Sequence, residues 1–274
     1  MNIGVDLGGT KIRAGIEQNG LIMKQNATFL QQKDSLSSTL TQIIELIRPL
    51  TLASVEKIGI GVPSVVDTEK GIVYDVVNIP SWKKVALKDI LENEFNLPTF
   101  INNDVNCFTL GEHRFGLARG FRSVIGITIG TGLGSGIIVN NQLYVGNNCG
   151  AGEIGLLPYL DKNFEYYVSN NFFETKHHIS ALAANEAAID GNLNALTLWA
   201  EFGQHLGEVI KATMYIYDPE VIILGGSISN AFPFFKNSMY SSLRNFAFPE
   251  SLKNLKIFQS ENANIALLGA AALS

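Results

Sequence analysis

Residues 1–16 read MNIGVDLGGTKIRAGI, and this stretch decides how the rest of the chain is understood. Two short apolar runs, Ile3–Leu7 and Ile12–Ile16, flank the turn Gly8-Gly9-Thr10, a pattern that predicts a β-hairpin. Gly8 and Gly9 carry no Cβ, so a positive φ is open to them and an anion can come close to their amide N–H groups. Asp6, ending the first strand, is expected to hold a hydrated Mg²⁺ beside that anion. Thr10 adds a hydroxyl and Lys11 a cation, which suits the phosphate tail of a nucleotide. Taken alone, a strand–Gly-Gly–strand segment is only a hairpin. It is not a P-loop, because Thr10 precedes Lys11 and no helical pattern follows. Nor is it the dinucleotide fingerprint, since a second strand comes next.

The chain has 274 residues, 46% of them hydrophobic, which suffices for one large domain or two modest ones. A net charge of −5 without a basic cluster argues against a nucleic-acid partner. Cys107 and Cys149 lack metal-binding spacing. No leader pattern and no run of 18 or more apolar residues is seen, so no membrane span is expected. The expectation is a reducing cytoplasmic compartment.

Beyond the hairpin, Leu21–Leu30 reads as a third strand, and Ser35–Arg48 as a helix stopped by Pro49. Lys57–Val62 is a short buried strand, Leu87–Phe95 a helix, Thr99–Asn102 a strand and Asp104–Leu117 a helix. This alternation indicates an α/β sheet with crossovers. Ser123–Ile129 then opens a second block. The run Gly130-Thr131-Gly132-Leu133-Gly134-Ser135-Gly136 reads as a turn, with strands at Gly136–Val139 and Gln142–Val145. Two half-chains with one layout predict a duplicated fold with a cleft between the halves. Leu193–Tyr217 is a long helix ended by Asp218-Pro219. Val221–Leu224 is a buried strand running into Gly225-Gly226-Ser227, a third set of amides suited to a nucleoside or phosphate. Ala263–Leu273 reads as a closing helix.

The three glycine motifs in this order, with Gly59-Ile60-Gly61-Val62-Pro63, Asn102-Asn103-Asp104-Val105-Asn106 and Gly152-Glu153-Ile154-Gly155, resemble those of the actin-like ATPase superfamily. Within it the chain is similar throughout its length to the ROK family, which includes bacterial glucokinases, fructokinases and N-acetylmannosamine kinases. That resemblance implies two ribonuclease-H-like α/β domains, 1–107 with 261–274 and 108–260, closing on ATP, Mg²⁺ and a sugar. Gly8, Gly9, Thr10 and Lys11, Gly130, Thr131 and Gly132, and Gly225 and Gly226 would hold the nucleotide. Asp104, whose local reading is a helix-capping carboxylate, would be the general base taking the proton of the sugar hydroxyl. Asn103, Glu153 and Glu174 would contact the sugar, and Ser64 lies near it. Dimerisation through the second domain is a family habit that nothing in the sequence itself shows.

One departure stands out. The family holds a structural zinc with a His and three Cys, and here Leu156 replaces that His. Counting back from Glu174 puts Phe172, Tyr167 and Glu165 at the Cys positions, so no zinc is expected. His177-His178 lacks partners for a metal site. The leading expectation is an ATP-dependent hexose or amino-sugar kinase of glucokinase type. The rivals are fructose, N-acetylmannosamine or N-acetylglucosamine as substrate, or a non-catalytic sugar sensor. A repressor is disfavoured because the chain starts directly on the hairpin.

Overall fold

The computed structural model describes residues 1–274. The opening hairpin forms as β1 (Asn2–Leu7) and β2 (Lys11–Gln18), followed by β3 (Leu21–Phe29). Alternation along β1 sends Ile3, Val5 and Leu7 into the core with no exposed surface. Next come α1 (Leu36–Ile47), capped by the Ser35 hydroxyl, and β4 (Lys57–Val62). Pro49 does not stop α1 abruptly. It sits inside a tighter turn, Arg48–Leu50, where its missing N–H costs nothing.

A small sheet that the sequence did not reveal follows, made of β5 (Val66–Asp67), β6 (Ile72–Tyr74) and β7 (Lys84–Ala86). Then come α2 (Leu87–Phe95), β8 (Thr99–Asn103) and α3 (Asp104–Phe115). The second half has β9 (Val124–Ile129), β10 (Leu133–Val139) and β11 (Gln142–Tyr144), then a minimal hairpin, β12 (Pro158–Tyr159) and β13 (Lys162–Asn163). Helices α4 (Phe164–Tyr167), α5 (Ala181–Ile189) and α6 (Leu193–Tyr217) lead to β14 (Val221–Gly225). The chain ends with α7 (Phe232–Leu243), α8 (Pro249–Asn254), β15 (Lys256–Gln259) and α9 (Ile265–Ala271).

The two large sheets repeat one order, β3-β2-β1-β4-β8 and β11-β10-β9-β14-β15. In each, a three-strand antiparallel meander is extended by two parallel strands. This is the two-domain actin-like ATPase architecture. The glycine run Gly130–Gly136 is not all turn, as β10 already begins at Leu133. Gly136 lies within that strand because α3 packs on it, and a Cβ there would overlap the Thr109 hydroxyl.

Each half has its own core, and α3 and α9 lie between them. Val5, Ile58 and Trp82 belong to the first core, and Ile127, Trp199 and Ile222 to the second. Between the two helices, Cys107 and Leu110 meet Ala270 and Leu273. Helix α9 lies against β1 and β4 at contact distance, because a Cβ on Gly4 or Gly59 would overlap its backbone carbonyls. Cys107, where the first domain was expected to end, sits inside the unbroken helix α3.

Candidate active site

The site forms where strand ends and helix starts converge between the halves. Asp6 is half-buried near the end of β1, and its direct cross-strand partner is Arg13. The guanidinium donates to Asp6 Oδ2 from Nη2 at 2.7 Å and from Nε at 3.2 Å. Its third nitrogen, Nη1, donates to the Ala263 carbonyl at 2.8 Å, tying the hairpin to the segment before α9. Asp6 Oδ1 takes no hydrogen bond, so one oxygen stays available to a hydrated cation.

Gly8 and Gly9 do not take the positive φ expected of them. Their use is close approach: Gly8 donates to the Lys11 carbonyl at 3.0 Å, and a Cβ on Gly9 would strike the Asn78 side chain. Thr10 and Lys11 are exposed. In the second half, Gly130 donates to the Gly132 carbonyl at 3.0 Å, and Thr131 is exposed. The third turn does need its glycine. Gly226 has φ +84°, and a Cβ there would overlap the Ile129 backbone.

A cavity of about 460 Å³ joins the Asp6–Arg13 pair to the third turn, lined among others by Asp6, Arg13, Asp104, Thr128, Gly225 and Gly226. The turns Gly8–Lys11 and Gly130–Gly132 are outside its lining, and each begins two residues after a residue within it, Asp6 and Thr128.

Asp104 is the first residue of α3, but the main cap is Asn103, whose Oδ1 accepts from the N–H groups of Val105 at 2.8 Å and Asn106 at 3.3 Å. Asp104 also accepts from Val105 N–H, at 2.9 Å. Burial pushes its pKa up to about 7; the nearby charges of Asp6 and Glu153 push the same way, and the backbone N–H groups pull against them. A carboxylate so held takes a proton readily at neutral pH. Glu153 opens to solvent, yet the protein around it raises its pKa, and Glu165 raises it further.

Two expected sugar contacts sit differently. Asn103 spends its Oδ1 on the helix and points its Nδ2 at the Ser64 carbonyl, 3.4 Å away. The Ser64 hydroxyl donates to the Tyr74 carbonyl, so its backbone, rather than its side chain, is linked to the Asn103-Asp104 pair. Glu174 lines a different cavity from Asp104. It lies on the turn Phe172–Lys176, accepts from Asn170 Nδ2 at 2.6 Å, and lines a second cavity to which neither Asp104 nor Glu153 contributes. Glu165 is the acid brought to the glycine turn instead: its Oε2 accepts from Leu133 N–H at 3.0 Å, and a Cβ on Gly132 would touch it.

Arg13 and Glu165 were thus missed from the sequence. Hairpin register could have found Arg13 only with the turn read as the four residues Gly8–Lys11, since Leu7 then faces Ile12 and Asp6 faces Arg13. For Glu165 the signal was Asn163, which caps the helix carrying it. Tyr167, Val168 and Phe172 pack into the second core, and no group of three or more His, Cys, Asp or Glu side chains is arranged to hold a metal. No helix is long and apolar enough to cross a membrane.

This arrangement has relatives. The chain is 28% identical to a glucokinase of Thermotoga maritima, over 99% of this chain and 96% of that protein. It is 27% identical to a xylose repressor of Caldicellulosiruptor bescii, over 99% of this chain and 77% of the repressor. Its fold superposes on a ROK family glucokinase of Streptomyces griseus, solved with glucose and AMPPNP. That match has a TM-score of 0.83 and 27% identity, and covers 98% of this chain and 97% of that one. The ROK family pattern matches residues 2–274, and the chain belongs to the ROK family.

Proposed function

We propose that this protein transfers the γ-phosphoryl group of ATP to a hydroxyl of a hexose or amino sugar, with glucose as the leading substrate. The observation that carries the reading is Asp104: a carboxylate with a pKa near 7 at a helix start, sharing one cavity with Asp6 and Gly225-Gly226. The sugar oxygen attacks the γ-phosphorus and the bond from that phosphorus to the β–γ bridging oxygen breaks. ADP leaves, and the hydroxyl proton passes to Asp104. In a loose transition state the proton moves late, so Asp104 acts chiefly by position. Bound Mg²⁺ would offset phosphate charge, and Asp6, with its free Oδ1, is the residue to hold it through water. The amides of Gly9, Thr10, Thr131 and Gly132, with the Lys11 ammonium, would flank the phosphates, while the Gly8 and Gly130 N–H groups close their own turns. Asn103 Nδ2, Glu153 and Glu165 would meet the sugar's other hydroxyls.

Two lobes, 1–107 with 261–274 and 108–260, would close about α3, excluding water that otherwise competes as acceptor. The reading places the protein in the cytoplasm, where ATP is abundant, and leaves it without a nucleic-acid or membrane partner. The rival reading, a sugar-responsive protein that does not catalyse, draws on the xylose repressor relative. An ADP-release assay across glucose, fructose, mannose, N-acetylmannosamine and N-acetylglucosamine separates the two. Turnover of at least one sugar is expected, and Asp104→Ala should lose it by about 10²–10⁴-fold. Sugar binding without turnover would establish the rival.

A further inference from the structure

Among the cations of the first half, Lys33 stands apart. It lies half-buried in the loop between β3 and α1, and its ammonium donates to the Gly9 carbonyl of the hairpin turn. It forms no ion pair, so its charge is not offset by a partner on the protein. Reaching the turn takes an uncommon backbone. Gln32, the residue before it, has φ +50°, a left-handed conformation that persists in a residue with a side chain only where the surroundings enforce it.

Those surroundings are built from the segment Asn78–Trp82. Ser81 donates to the Lys33 carbonyl from its hydroxyl at 2.6 Å and from its N–H at 3.3 Å. Ser81 is fixed in turn by Ile79 and Trp82, both fully buried in the first core. The Trp82 indole N–H donates to the Thr39 hydroxyl at 2.8 Å. Asn78, at the head of the same segment, fills the space that a Cβ on Gly9 would need. One anchored segment therefore holds both Lys33 and the turn that it reaches.

The consequence falls on the Gly9–Thr10 peptide. Its carbonyl and its N–H point to opposite sides, because the peptide is planar and trans. With the carbonyl held by Lys33, the Thr10 N–H is turned the other way, where no group of the protein accepts from it. The Thr10 carbonyl is occupied too, accepting from the Leu30 N–H at 2.8 Å. The carbonyls of Gly9 and Thr10 are thus taken while their N–H groups are free. A turn that offers only donors suits an anion, and a cation on the carbonyl side polarises the peptide toward a stronger donor.

We propose that Lys33 is a positioning residue for phosphoryl transfer: held on the Gly9 carbonyl, its ammonium aims the Thr10 N–H at the phosphate tail of the nucleotide. The inference rests on the kinase reading and is tested by calorimetric binding of Mg-ATP and of adenosine, with steady-state rates alongside. Lys33→Met should weaken Mg-ATP about tenfold, the scale of one charge-assisted hydrogen bond, and leave adenosine, which has no phosphate, within about twofold. Its kcat should fall about 10²-fold, the scale of misaiming one preorganised donor, while the KM for sugar stays within about twofold. Lys33→Arg, which keeps a cationic donor, should recover most of both losses.

A loop that only held the fold together would weaken adenosine as much as Mg-ATP, and that pattern would overturn the proposal. So would a Lys33→Met protein with wild-type Mg-ATP affinity and kcat. Should Lys33→Met fail to fold, Ser81→Ala tests the same link by loosening the tether of Lys33. That variant should weaken Mg-ATP about threefold and leave adenosine unchanged, and wild-type affinity for Mg-ATP would count against the proposal. All of these outcomes leave the kinase reading intact. A wild-type protein that binds no Mg-ATP would sink that reading, and this inference with it.

Discussion

The two halves of the molecule share a sheet order but not a chemistry, and the difference lies at matched positions. Asp6 stands two residues before Gly8 in the first half, and Thr128 two residues before Gly130 in the second; both line the same cavity. Across the ladder, Asp6 faces Arg13, whereas Thr128 faces Gly134. The first half thus brings a charged pair to the cleft, and the second brings a neutral hydroxyl opposite a residue with no side chain. The helices that follow the outer parallel strands differ in the same way. Helix α3 starts with a side-chain cap and Asp104, while α9 has no side-chain cap and no acid in its first turn. Duplication supplies two equivalent frames, and only one carries an acid at both its strand end and its helix start. The other frame keeps its backbone amides and its space.

The largest effect should come from removing that asymmetry at its charged end. Asp6→Ala should lower kcat by about 10²–10³-fold, the scale of losing one preorganised electrostatic contact in a closed site. Thr128→Val, at the matched position, should stay within about threefold of wild type. Steady-state rates at saturating sugar and Mg-ATP read both. Equal losses would mean that the two frames share the work, and the comparison above would fail.

Next in size is a stability effect that depends on pH. The folded protein raises Asp104 from an ordinary aspartate value to about 7. Between those limits the folded state binds more protons than the unfolded chain, so this group's contribution to stability falls as pH rises from about 4 to about 7. Asp104→Asn removes the cost of that buried charge. The variant should therefore gain up to about 4 kcal/mol relative to wild type at pH 8. At about pH 2, below the ordinary aspartate value and so with Asp104 protonated in both states, it should gain nothing. Denaturant unfolding of both proteins at the two pH values measures it. A gain of equal size at both would show that packing, not charge, separates them.

Much of this frame was legible in the chain. Leu87–Phe95 and Leu193–Tyr217 were read with the boundaries the helices take, because each stop lies in the next residues: Asn96 and Asp218 both adopt left-handed backbone. The hairpin and the strands β4 and β9 were equally plain, being short runs rich in Ile, Val and Gly. What escaped depends on distant partners. Strand β15 is four residues long and exists by pairing with β14. Helix α5 is rich in alanine and shows little apolar periodicity, so its sequence gives no face to read. The separate cavity of Glu174 has a similar origin. Glu174 was taken from the family resemblance, while the short hairpin β12–β13 and the Asn163 cap bring Glu165 to the glycine turn. Register along a strand survives such changes, but register across a rebuilt loop does not.

Ser64 sharpens the comparison at its smallest scale, because it tests whether the first half contributes side chain or backbone beside Asp104. Sequence position put Ser64 near the substrate, yet its hydroxyl is turned to the Tyr74 carbonyl and only its own carbonyl faces Asn103. A hydroxyl already committed to the backbone has little to offer a sugar. Ser64→Ala should therefore leave the KM for sugar within about twofold and lower stability by about 1 kcal/mol, the net worth of one hydrogen bond. Asn103→Ala should do more on both counts, since it removes the α3 cap, worth about 1 kcal/mol, and the Nδ2 donor together. A Ser64→Ala variant whose sugar KM rises tenfold at unchanged stability would show that the hydroxyl leaves Tyr74 when substrate binds. The first half would then recognise sugar through a side chain that the unliganded fold keeps turned away.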